Sequence, residues 1–435
     1  MGGPPRLCLV GTYGEKLAHV DGKGNGVYVI SLDVNADLPL LEKPQLSTLK
    51  NPTYMVTHRQ GSQLLVYIVD ELYGSQGGTV VAATLDEETA RLDLIGQPVQ
   101  TGGTGTCHLC IAPGGKHIIA ANYGDGSVCA IERQDDGSLG QRVASISLPT
   151  GGVSHEPIPF PGKNKARQDG GHAHMVKFVP GCTFETLLIP DLGCDVVWTL
   201  RYDPEARVPL VAPALASGVS LSLKGAGPRH IALHPGFPRV RVAYVAYELL
   251  SLVAAFAVDE NGTLVGEAIS PGPICSFHSK GVSCHGLASH FQEPGANHGV
   301  HVCKHDHACG GVACSDTSTT IAAIRVLPDA SLLVVSNRIV GGDGSLSAIP
   351  LARDGSFAQA SIGGMASTGG ASPRDFIILA SEQGACTALA ANQDSDSICS
   401  IPINGKGEVR IIANLPTPVC LALAPEHDCE KRVMN

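Results

Sequence analysis

The chain is poor in the residues that fill thick helical cores: one Trp, five Met and nine Phe occur among 435 residues. It has no surplus of positive charge either, with 30 Lys and Arg against 40 Asp and Glu and a net charge of -10. That balance argues against a nucleic-acid partner, yet leaves room for a small anion held by a local group of arginines. No apolar run reaches the ~18 residues that span a membrane, so no membrane partner is expected. The N-terminal MGGPPRLCLVGTYG lacks the apolar centre of a signal peptide, and Arg6 stands where a myristoylation motif has Ser or Thr. Fifteen cysteines, an odd number scattered through strand-like segments, do not suit a disulfide framework. We expect reduced thiols acting mostly as small core hydrophobes in a cytoplasmic protein.

Turn residues are what the chain has in quantity. Gly 52 and Pro 29 cut it into short segments, while 43% hydrophobic and 16% charged residues mark a folded globular protein. The stretch Gly225–Leu250, GAGPRHIALHPGFPRVRVAYVAYELL, is the most legible unit. Its apolar runs Ile231–Leu233 and Val242–Ala246 flank a turn, His234–Arg239, in the pattern of an antiparallel hairpin. The open end of such a hairpin sets Arg229 beside Glu248, a cation next to a carboxylate.

The same device recurs. Polar entry, apolar strand, Pro/Gly turn, second apolar strand and polar tip appear at Asn51–Glu71, Thr106–Tyr123, His172–Leu192, Gly227–Glu248, Thr319–Arg338 and Ser372–Gln393. After most tips comes a Gly/Ser/Asp turn and an alternating strand, often ending in Asp-Gly or Asn-Gly, a strong hairpin signal. Each unit therefore reads as a four-stranded antiparallel meander. The C-terminal TPVCLALAP resembles a first strand with nothing after it, and the N-terminal LCLVGTY resembles a unit without its first strand. Joined, they complete a seventh unit and close a ring, which removes exposed sheet edges. The expectation is all-β: one seven-bladed β-propeller domain over residues 1–435, with insertions at 149–171 and 276–316.

In a propeller, the start of each innermost strand and the end of each second strand meet at one mouth of the central channel. Strand starts carry His108, His174, Arg229 and Arg374, and strand ends carry Asn122, Asp191, Glu248, Arg338 and Gln393. Arginine binds carboxylate or phosphate through paired N–H groups, and His and Glu are the usual acid–base groups near neutral pH. The mouth thus suits an anionic substrate and proton transfer. Asn122 and Asp191 suit turn-tying as well as substrate contact.

The runs ANYGDGSV, HAHMVKF, PDLGCDVV, GAGPRHIALHP, VAYELLSLVAAF, VVSNR, SPRDF and ANQDSDSICSI, in that order and at matching blade positions, resemble the lactonase family of seven-bladed propellers. That family includes bacterial-type 6-phosphogluconolactonases and fungal carboxymuconate cyclases. The resemblance runs from about Leu7 to Pro425, apart from the two insertions. It implies catalytic roles for His174 in HAHM, Arg229 in GPRH, Glu248 in YEL and Arg338 in SNR. His108, Asn122, Asp191, Arg374 and Gln393 are left as substrate-binding candidates. Family members often carry an Ala-Glu-Ile run before the sixth inner strand, where this chain has Ala322, Ala323 and Ile324. The implied reaction is hydrolysis of an anionic sugar lactone, 6-phosphogluconolactone foremost, without cofactor or metal. The arginines would hold the substrate, and either Glu248 or His174 would be the base. A cyclase-type isomerase and a non-catalytic interaction platform are the alternatives. Oligomeric state is not legible beyond a monomer or weak dimer.

The second insertion contains HVCKHDHACGGVAC, with Cys303, His305, His307, Cys309 and Cys314 close together. Their spacing matches no standard zinc pattern, and the segment reads as a biased surface loop.

Overall fold

The computed structural model describes residues 6–32, 41–150, 164–211, 218–219, 224–270, 272–276, 319–359, 362–381, 384–403 and 408–425. The His/Cys-rich run at 301–314 lies outside the described residues, as does 151–163 of the first insertion.

Seven antiparallel sheets follow one another around a ring. The expected closure is present: Pro418–Leu423 is the innermost strand of blade one, followed outward by Leu7–Thr12, Val27–Ser31 and Leu41–Gln45. Cys8 pairs with Leu423 and Val10 with Leu421, joining the two ends of the chain. In blade five, Pro228–Leu233 is innermost, followed by Val242–Tyr247, Leu252–Val258 and Leu264–Val265, and Ile274–Cys275 adds a further pairing. A small hairpin, Lys16–Leu17 with Val20–Asp21, sits outside the blades. Among the described residues no helix is long and apolar enough to cross a membrane.

The second strands show why the sequence runs are apolar on both faces. Successive strand residues point to opposite faces of a sheet. Ala243, Val245 and Tyr247 enter the core shared with blade four, whereas Val242, Tyr244 and Ala246 enter the core shared with blade six. Each blade is thus sandwiched between two cores, and burying one such Val contributes roughly 1.5–3 kcal/mol.

Turns lock neighbouring blades. Gly137, Gly262 and Gly355, each in the turn from third to fourth strand, adopt φ of 86°, 84° and 85°. A Cβ at these positions would meet Leu65, Thr186 and Val242 of the preceding blade at 2.6, 2.8 and 2.9 Å. The absent side chain lets the turn dock: Tyr67 Oη donates to Gly137 O at 2.9 Å, Thr186 Oγ1 to Asn261 O at 2.7 Å and Tyr244 Oη to Gly355 O at 2.6 Å.

Candidate active site

Two local rules bring polar side chains to the channel mouth. The first acts where the second strand ends. The last strand residue ties the turn, and the next one is free for the cavity. Asp70 accepts from Asn51 N at 2.6 Å, Asn122 Nδ2 donates to Ser127 Oγ at 2.9 Å, Asp191 accepts from His172 N at 2.7 Å, and Asn392 Nδ2 donates to Thr368 O at 3.0 Å. Short Asp and Asn side chains reach nearby backbone, which is why they occupy this position. The residues that follow, Glu71, Tyr123 and Gln393, line the cavity, as do Glu248, which follows Tyr247 at the end of its strand, and Arg338, which follows Asn337 one residue before its strand ends; Tyr13 in blade one and Leu192 in blade four are off the wall.

The second rule acts at the start of the innermost strand. In blades three, five and seven the pairing register slips by one residue, between Thr106 and His108, Pro228 and His230, and Pro373 and Asp375. A bulge re-aims a side chain. The skipped residues, Cys107, Arg229 and Arg374, are the ones that line the cavity, while His108, His230 and Asp375 do not.

The cavity has a volume of about 990 Å³. Its centre on one wall is Glu248. Arg167 Nη1 lies 2.8 Å and Arg338 Nη2 2.9 Å from Glu248 Oε1, and Arg229 Nε lies 2.8 Å from Oε2. These contacts are short but off the N–H axes of aligned hydrogen bonds, so charge is what holds the group together. Burial alone would raise the Glu248 carboxyl pKa, but Arg167, Arg338 and Arg229 outweigh it and keep the group ionised, well below the usual carboxylate range. The backbone beneath is fixed by Asp195, which accepts from Gly225 N at 2.6 Å and Gly227 N at 2.7 Å, and by Glu248 N donating to Gly227 O at 2.7 Å.

His174 stands beside this group, with Nδ1 3.9 Å from Cys107 Sγ and its ring edge-on to Tyr123 and His230. Burial, reinforced by the Arg229 charge, lowers its pKa well below the ordinary imidazole value. His230 and His108 are lowered likewise, burial first. All three are therefore neutral at pH 7.

The opposite wall is a second polar group. Glu71 accepts from Thr53 Oγ1 at 2.6 Å, Tyr73 Oη at 2.8 Å and Tyr13 Oη at 2.9 Å. Arg374 Nη2 donates to Tyr13 Oη at 2.9 Å, and Nη1 reaches Gln393 Oε1 at 3.5 Å. His19, in the small hairpin, also lines the cavity, with Nε2 3.4 Å from Tyr13 Oη. Burial pushes its pKa down to about 3.

One consequence concerns stability. An imidazole whose folded pKa is depressed takes up its proton only in the unfolded chain, so stability is complete above the unfolded value near 6.5 and is lost as pH falls. His108, His174 and His230 together should make the slope approach about 4 kcal/mol per pH unit below that value, at about 1.4 kcal/mol per proton. The raised carboxyls of Asp70, Asp191 and Asp195 act in the opposite sense, so the imidazole slope is read at the upper end of the window. Denaturant titrations from pH 7.5 to 5.5 measure it; a flat profile would contradict the buried neutral imidazoles.

Of the residues singled out in the sequence, His174, Arg229, Glu248, Arg338, Arg374 and Gln393 share the cavity wall. Asn122, Asp191 and His108 do not. Asn122 and Asp191 occupy the turn-tying position, and Asp191 also accepts from Cys194 N at 3.0 Å. His108 is the residue after a bulge; it stacks on Tyr54 at 4.0 Å and accepts from Val176 N. Sequence reasoning missed Glu71, Tyr73, His19 and Arg167. Glu71 obeys the strand-end rule that found Glu248, so its signal was present. Arg167 lies in the described end of the first insertion, which has no strand periodicity to mark it.

Comparison with known proteins adds kinship to this geometry. Residues 7–423 match the family described as lactonase, 7-bladed beta-propeller. A 6-phosphogluconolactonase of Bacillus subtilis (strain 168) is 31% identical over 250 residues, 57% of this chain. The match spans 61% of that protein's own length, about three fifths. The solved structure of a periplasmic gluconolactonase from Pseudomonas aeruginosa superposes with a TM-score of 0.69 at 24% identity, covering 97% of this chain and 99% of that one. A Bacteroides fragilis structure described as a candidate 6-phosphogluconolactonase gives a TM-score of 0.71 at 22% identity, covering 97% and 98%. At these identities the two structures speak for the fold.

Proposed function

Because the chain belongs to the lactonase family of seven-bladed β-propellers, we propose that it hydrolyses a phosphorylated sugar lactone, 6-phosphogluconolactone, to the open-chain acid. The observation that carries this reading is a carboxylate shared by three arginines next to a neutral imidazole in one cavity. Four guanidiniums, Arg167, Arg229, Arg338 and Arg374, face two buried carboxylates, Glu248 and Glu71, an excess of two positive charges over the buried carboxylates, while the exposed Asp169, Asp343 and Asp394 also line the cavity. That excess complements a phosphate dianion. The Bacillus subtilis relative is named for the same substrate.

The reaction follows from the charges. Glu248 is a poor base, because three cations hold its proton off. Neutral His174, which also lines the cavity, is assigned as the proton acceptor. It removes a proton from water as the water oxygen bonds to the lactone carbonyl carbon. Arg229 and Arg338 stabilise the negative charge that develops on the carbonyl oxygen. Collapse of the adduct breaks the bond to the ring oxygen, which takes the proton back from His174. The products are a hydroxyl and a carboxylic acid, with His174 restored.

The class of reaction is tested by parallel incubation with freshly prepared 6-phosphogluconolactone and with carboxymuconate. Accelerated loss of the first alone supports the lactonase. Turnover of the second alone makes the protein a cyclase, and turnover of neither makes it a binding platform. Within the lactonase reading, Arg167 is the most exposed of the Glu248 partners, at 36%. It should exchange Glu248 for the substrate anion. Arg167→Ala is expected to raise KM about tenfold, the value of one lost charged contact, with kcat changed less than about threefold. Initial rates across substrate concentration measure both.

A further inference from the structure

We propose that His230 is a positioning residue: its Nε2 lone pair, fixed in the neutral Nδ1–H tautomer, clamps the Arg229 guanidinium so that Nη2 is presented to the cavity. This deepens the lactonase reading and rests on the role of Arg229 in it.

The argument begins with donors and acceptors. Arg229 Nη1 lies 3.1 Å from His230 Nε2. A guanidinium only donates, so Nε2 must carry a lone pair, and a neutral imidazole must then hold its proton on Nδ1. Imidazolium is excluded, because it would set an N–H against an N–H. His230 Nδ1 is buried and has no protein partner among the described residues, so no group on that side of the ring competes to set the tautomer. Burial, then the charge of Arg229, disfavours the protonated ring in the same sense.

Adjacent residues of a regular strand point to opposite faces and could not meet in this way. The slip between Pro228 and His230 makes it possible, because the bulge turns Arg229 toward the side occupied by its neighbour. Arg229 is then held from three directions. Glu248 takes Nε, His230 takes Nη1, and Ala322 O of blade six also accepts from Nη1. Among the described residues no protein acceptor engages Nη2. With Arg229 only 2% exposed, this clamp leaves one edge of the guanidinium to meet a substrate oxygen. His230 is not on the cavity wall, so it acts through Arg229.

The test compares His230→Leu with His230→Gln, whose amide oxygen can take the place of Nε2. His230→Leu is expected to lower kcat on 6-phosphogluconolactone about 10- to 100-fold, the usual loss when a supporting hydrogen-bond partner is removed, with KM within about threefold of wild type. His230→Gln should recover to within about fivefold of wild type. Equal impairment of the two variants, both folded by circular dichroism, would overturn the proposal, as would a rise in KM at constant kcat. Nitrogen-15 NMR of histidine-labelled wild type, with the His230 signals assigned by their loss in His230→Gln, reads the tautomer without catalysis. A protonated Nδ1 and bare Nε2 at pH 7 support the clamp; a proton on Nε2 overturns it. If the wild type turns over no lactone, the lactonase reading fails while the NMR result still decides the clamp, and the same spectrum decides it if His230→Leu does not fold.

Discussion

Glu248→Gln is expected to lower stability more than any other single change at the cavity, and to lower activity with it. The substitution keeps the shape of the side chain and removes its charge. Arg167, Arg229 and Arg338, all in contact with that carboxylate, are then left facing one another with no anion between them. Breaking a buried charge group by removing one partner costs about 3–5 kcal/mol. Arg229 and Arg338 also lose the anchor that sets their geometry, so turnover should fall about 100- to 1000-fold, as when a preorganised donor is lost. Denaturant unfolding and initial rates give the two numbers. Inorganic phosphate should stabilise Glu248→Gln more than wild type, because an external anion can replace the missing one. A variant as stable as wild type that keeps a tenth of its kcat would show that Glu248 is not the hub of the site.

His174→Asn is expected to lower kcat by about 10²- to 10⁴-fold, the usual contribution of a general base, and to leave KM nearly unchanged. The pH dependence offers an independent sign. A base works unprotonated, so activity falls as pH drops through its folded pKa. That pKa is depressed by burial and by Arg229, so kcat/KM should hold its plateau well below pH 6.5, once the substrate phosphate's own ionisation is allowed for. A limb centred at 6.5–7 and abolished in His174→Asn would mean that the imidazole is solvated in the working enzyme. If His174→Asn kept full kcat, water activation would have to be assigned elsewhere.

Much of this architecture was legible in the chain. Apolar second strands such as Val242–Tyr247 announce two-sided burial, and the Asp-Gly and Asn-Gly turns announce hairpins. Ring closure was legible because the two chain ends each look like an incomplete blade. Arg229 and Glu248 were found together because a hairpin sets its two ends side by side. The details of the wall were hidden by displacements of a single residue. Nothing in the composition of CH, RH or RD says that a bulge gives the cavity to Cys107, Arg229 and Arg374 and denies it to His108, His230 and Asp375. Likewise Asn122 and Asp191 look like site residues one position early, until their bonds to the turns are seen. Arg167 had no signal at all, because an irregular segment carries no period from which a position can be read.

Ala322 illustrates how the wall depends on backbone as well as side chains. The inner strand of blade six slips between Ile321 and Ile324, and the freed Ala322 carbonyl meets Arg229. An alanine therefore contributes to the site by its oxygen alone, which explains why a search over polar side chains passed it by.

The central claim is that this arginine-lined cavity hydrolyses a phosphorylated lactone. Its most direct test is the rate of hydrolysis of 6-phosphogluconolactone beside gluconolactone without phosphate, with the spontaneous reaction subtracted from each. The expected result is a kcat/KM of at least about 10⁴ M⁻¹s⁻¹ on the phosphorylated substrate, within the ordinary enzymatic range. Preference over the unphosphorylated lactone should reach about 100-fold, the worth of two charged contacts. Hydrolysis no faster than the spontaneous rate, or equal rates on the two lactones, would contradict the account.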